Sequence, residues 1–186
     1  MTGFSNMFWG FLIILLDFRI DGFDIIPDFI GYWMIYIGLG ELSTWNVHFK
    51  AARKYVPILG ILAVLDSFQF QRPINEFSLE PMVIGGFILG LVLSVIDLLM
   101  VYNICKGISE IAEKSNLTDL SLKAMNRWQL YLYVKIGFMI IWPFMLISPG
   151  FVVVLGIPIS LLVIIVGFML AFLMKDADTS YNSASM

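Results

Sequence analysis

Apolar runs alternate with short polar turns along the whole chain, and six of the runs approach the ~20 residues that an α-helix needs to cross a bilayer core. They fall at 4–20, 27–42, 56–70, 82–104, 128–147 and 151–174. Taken in pairs they predict an all-α integral membrane bundle of about six transmembrane helices arranged as three hairpins. The first two runs are short and are broken near one end by aspartates. The last carries no charge, and Ser148-Pro149-Gly150 supplies its turn.

Two connectors, 43–55 and 106–127, are amphipathic. Ile108, Ile111 and Ala112 follow the i, i+3, i+4 spacing of one helix face, which predicts that the fourth span runs on out of the bilayer as an interfacial helix. Residues 1–174 then form one transmembrane domain. The polar, small-residue stretch 175–186 reads as a disordered cytoplasmic tail.

Composition supports that reading. With 60% hydrophobic and 13% charged residues and a mean hydropathy of +0.90, there is too little polar surface to cover a soluble globule. A lone cysteine, Cys105, excludes an internal disulfide framework and a Cys-based zinc site. The net charge of -3 comes without a basic, aromatic-interleaved patch, so no nucleic-acid partner is expected. The partners expected are the lipid bilayer and other membrane proteins.

Orientation follows from lysine and arginine, which gather on the cytoplasmic side of membrane proteins. The first run lacks a basic leader and a small-residue cleavage site, so it reads as a retained helix. With the N-terminus inside, the inner segments hold Lys50, Arg53, Lys54, Lys106, Lys114, Lys123, Arg127 and Lys175, and the outer turns only Arg19 and Arg72. Both termini are therefore expected in the cytoplasm, with the protein in the cell membrane. Trp45, Tyr55, Tyr102 and Trp128 fall at the inner interface, where amphipathic rings anchor.

Asp97 and Lys135 are the ionisable residues that lie well inside apolar runs, at the same depth of about 10 Å from one face. They are expected to meet as a buried ion pair or a proton or cation relay. Gly86, Gly90 and Ser94 lie near Asp97 on one helix face, a small-residue strip that would admit another helix closely, and Gly156 and Ser160 form a similar strip. Asp66 is an intramembrane acid at the outer end of its run. His48, with no second histidine or cysteine nearby, reads as a solvent-facing side chain.

The densest polar feature is the first outer turn, where Asp17, Asp21, Asp24 and Asp28 fall at i, i+4, i+7 and i+11. Gly22 and Pro27 break a continuous helix there, so the turn is expected to fold back at the interface. Such carboxylates suit Ca2+ or Mg2+. The local alternative has Asp24 capping the second helix, Asp28 in its positive first turn and Arg19 neutralising a neighbour. Beyond this candidate cation, no cofactor is expected.

Residues Asp24-Ile25-Ile26-Pro27-Asp28-Phe29-Ile30 resemble the D-[LI]-I-P-D-F-I-P signature of a small bacterial membrane-associated domain, with Gly31 where that signature has proline. More broadly, residues 15–40 resemble the opening of an uncharacterised family of small bacterial polytopic membrane proteins. The resemblance implies a bacterial cytoplasmic membrane and no assigned activity.

The sequence contains no nucleophile elbow, phosphate-binding glycine loop, HExxH motif or catalytic carboxylate pair. No enzymatic activity is expected. The reading favoured is an accessory, sensory or assembly component of the cell membrane. Its alternative is a small transporter or channel for a cation, proton or cation-coupled solute.

Overall fold

The structure is a computed structural model that describes residues 2–16, 19–20, 23–24, 28–67, 81–141 and 149–184. The described chain is all-α, with helices α1 (Gly3–Leu16), α2 (Asp28–Leu42), α3 (Val47–Ser67), α4 (Pro81–Lys114), α5 (Thr118–Ile141) and α6 (Pro149–Ala184). Between α1 and α2 the backbone makes one minimal antiparallel ladder, Arg19–Ile20 against Phe23–Asp24. Among the described residues two helices are long and apolar enough to cross a membrane, Ile88–Lys114 within α4 and Val154–Ser183 within α6.

Local chemistry sets the helix ends. The Asn46 side chain accepts a 2.8 Å bond from the His48 N–H and so caps α3. After α4, Asn116 takes a positive φ of 58°, and the Leu117 N–H bonds back to the Ala112 carbonyl at 2.8 Å. That is the left-handed helix stop which asparagine tolerates better than most residues. The chain then re-enters helix at Thr118.

Each helix packs chiefly against its neighbours in sequence, and α6 closes back on α1 to complete a ring. The α1–α2 seam depends on glycine. A Cβ on Gly3 would stand 2.6 Å from the Gly38 carbonyl oxygen, and one on Gly10 would stand 2.6 Å from that of Gly31, so side chains there would force the helices apart. These glycines recur every seven residues on each helix, a close-approach strip of the small-residue kind.

Of the strips expected elsewhere, two positions meet no neighbouring helix. A Cβ on Gly86 would meet nothing within 4 Å, and Ser160 is exposed with its hydroxyl on its own helix's Ile157 carbonyl. Gly90, Ser94 and Gly156 are only half-buried. Spacing alone cannot tell a strip that meets a helix from one that does not.

The core is strongly one-ended. Buried side chains from all six helices, among them Met7, Leu39, Phe49, Ile104, Ala124 and Leu170, gather toward the end that carries the α2–α3 and α4–α5 turns. We call this the near end. Toward the far end, described residues 12–16, 28–34, 60–64, 85–86, 88–99, 132–141 and 154–165 include no buried hydrophobic side chain.

Two expectations about the near end are corrected. Residues 175–184 are not a disordered tail but the last turns of α6: Leu170, Met174, Ala177 and Tyr181 continue one apolar stripe, and the Tyr181 ring stacks on Phe4 at 5.6 Å. The Thr2 hydroxyl also donates to Asp178, so the start of α1 lies beside the last turns of α6. The Ile108 face of α4 does not lie flat on an interface. Ile108 and Ala112 are fully buried in the core, because α3 and α5 supply the apolar surface that lipid was expected to give.

Candidate functional site

Asp97 and Lys135 meet as their depth predicts. The Lys135 ammonium lies 2.8 Å from Asp97 Oδ2, with the two side chains 19% and 15% exposed. A third group joins them: the Tyr131 hydroxyl donates to the same Oδ2 at 2.5 Å, and the ammonium stands 5.5 Å from the centre of the Tyr131 ring. Tyr131 and Lys135 are one helical turn apart on α5, so both reach the carboxylate from one face.

The cluster sits where the packed core ends, its Tyr131 ring buried and Met100 buried one turn along α4 from Asp97. Chemically it is a neutral salt bridge with a phenol attached, a charge-assisted set that holds protons in place. The two described cavities lie elsewhere, and neither is lined by Asp97, Tyr131 or Lys135.

A second polar constellation occupies the near end, between α3 and α4. His48 is not solvent-facing but engaged through both ring nitrogens, Nδ1 at 3.0 Å from Asn103 Oδ1 and Nε2 at 3.2 Å from Glu110 Oε1. The Asn103 amide is oriented by its own donation to the Leu99 carbonyl at 2.8 Å, which turns its oxygen toward the imidazole. Both nitrogens thus face acceptors. Asn46 Nδ2 donates to Glu110 Oε2 at 3.0 Å, and Lys106 approaches Oε1 at 3.7 Å. The Asn46 bond, with the cations of His48 and Lys106, lowers the Glu110 pKa below its ordinary 4.5 against a smaller opposing effect of burial.

Of the outer acidic turn, Asp28 opens α2, where the helix dipole favours a carboxylate. Asp17 and Asp21 lie outside the described residues, as does the side chain of Asp24. Asp66 is in the last turn of α3 with its side chain likewise outside them. Among the described residues no group of three His, Cys, Asp or Glu converges to hold a metal ion.

Sequence reasoning missed Tyr131 and the Asn46–His48–Glu110–Asn103 network. The signal for Tyr131 was its i, i+4 relation to Lys135. For His48 it was the Asn46 cap two residues earlier, which fixes where α3 begins and hence which way the imidazole points. No family model matches this chain, and comparison with curated proteins and with solved structures gives no match either.

Proposed function

We propose that this chain is a multi-pass protein of the cell membrane without enzymatic activity, an accessory, sensory or assembly component. Its six helices cross the bilayer, with both termini and the basic turns on the cytoplasmic side. One observation carries the reading: in the most apolar windows of α4 and α6 only 28% and 33% of residues are buried. A core helix of a soluble protein turns such surface inward, whereas these helices leave it for lipid. The Asp97–Tyr131–Lys135 cluster then serves as a clamp that fixes the register of α4 and α5.

A transport reading is favoured by one feature, the end of the packed core at the level of that cluster, where an ion arriving from the far end would meet it. Purified protein in liposomes separates the two. The structural reading expects no cation or proton flux above empty vesicles; flux that Asp97→Asn abolishes would replace it with transport. Tags on both termini that are labelled on intact cells would overturn the orientation.

A further inference from the structure

The α2–α3 face carries an apolar groove of about 490 Å³, with Phe29, Trp33 and Tyr36 on one wall and Pro57, Gly60 and Val64 on the other. Its near end is cationic. Arg53 stands one helical turn before Pro57, and Lys50 about one turn before that, so Lys50, Arg53, Pro57, Gly60 and Val64 follow one stripe of α3. The Arg53 guanidinium lies 4.2 Å over the Tyr36 ring, and its carbon would be 3.2 Å from a Cβ on Gly40, which places it between the two helices at the mouth of the groove. Arg53 Nε is buried without a hydrogen-bond partner, and no described carboxylate is in ion-pair distance of the guanidinium. A planar cation left unneutralised beside an apolar slot matches a phosphate with a hydrocarbon tail.

Length agrees with that occupant. From Arg53 to Val64 the stripe runs about 16 Å at 1.5 Å per residue, close to half of a ~30 Å hydrocarbon core. The groove is therefore one leaflet deep. The basic residues at its mouth put that leaflet on the inner side, where anionic headgroups meet juxtamembrane Lys and Arg.

We infer that the α2–α3 groove binds one anionic phospholipid of the inner leaflet, its phosphate on Arg53 and Lys50 and an acyl chain along Trp33, Tyr36 and Gly60. This rests on the membrane reading above. Trp33, 64% exposed, gives the wall a ring that a chain can cover, and Gly60 leaves the space beside Tyr32 in which it can lie.

The test uses the full chain, extracted from membranes in a nonionic detergent, stripped of lipid and titrated with phosphatidylglycerol or phosphatidylcholine under native mass spectrometry. Phosphatidylglycerol adducts should exceed phosphatidylcholine adducts by about fivefold, because both headgroups offer the phosphate but only choline sets a cation against Arg53 and Lys50. Arg53→Gln should erase that preference, and Lys114→Gln, a basic residue of the same end but off the groove, should keep it. Gly60→Leu is a second probe: its Cβ would meet Tyr32 at an ordinary 3.4 Å, so the helix pair accepts it while the groove fills, and phosphatidylglycerol adducts should fall with Arg53 intact. Glycerol phosphate should not displace the lipid. Equal adducts of the two lipids, a preference unmoved by Arg53→Gln, or displacement by glycerol phosphate would each overturn the site in a protein that still fractionates with membranes. Recovery of the wild type from the aqueous phase without detergent would overturn the membrane reading, and the site with it.

Discussion

Asp97 and Glu110 are carboxylates of the same helix, about 20 Å apart along α4 at 1.5 Å per residue, and they are held by different means. Asp97 has its two donors, Lys135 and Tyr131, on one neighbouring helix at the edge of the packed core. Glu110 gathers Asn46 and His48 from α3 and Lys106 from its own helix, and it keeps 30% of its surface. The same chemistry meets two environments. Where little of the pair is exposed, a lost partner strands a charge; where water reaches the network, water takes the vacant place.

That contrast is open to attack, beginning with the largest expected effect. Lys135→Met should leave Asp97 uncompensated and cost about 3–5 kcal/mol of stability, read by denaturant unfolding in detergent. Replacing both partners, Asp97→Leu with Lys135→Met, should restore most of the loss. A double variant as weak as the single one would remove the clamp from the account. Tyr131→Phe deletes one bond to an ionised acceptor and should cost about 1.5–3 kcal/mol by the same measurement. No change there would mean that the phenol contributes nothing.

At the wet end the effects shrink. Glu110→Gln should cost only about 1 kcal/mol, since an exposed carboxylate is largely resolvated; a loss equal to that of Lys135→Met would erase the difference between the two regions. Acid should reach this network selectively. Because the folded state lowers the Glu110 pKa, its contribution is full above the ordinary value of 4.5 and is lost as pH falls through the depressed one. Thermal melting followed downward from pH 6 should show that loss in the wild type and less of it in Glu110→Gln.

Much of this was legible in the chain itself, and what was missed has physical causes. The apolar runs locate all six helices because hydropathy depends on composition, which survives without coordinates. Asp97 and Lys135 could be matched because isolated charges at equal depth have few other partners. Tyr131 escaped because tyrosine is common at interfaces and its hydroxyl carries no charge to balance. The end of α6 escaped for a similar reason: Lys175, Asp176 and Asp178 dominate its composition, while Ala177 and Tyr181 carry the buried stripe in only two residues. The glycine seam of α1 and α2 repeats every seven residues, a spacing that signals close approach only when the facing helix has the same repeat.

The bond from Thr2 to Asp178 and the stacking of Phe4 on Tyr181 bring the start of α1 against the last turns of α6. A short peptide could therefore join them into a continuous loop, and the backbone could be cut anew between Leu42 and Val47 without rerouting any helix. In architectural terms the molecule has no first helix: α1 follows α6 as naturally as α2 follows α1.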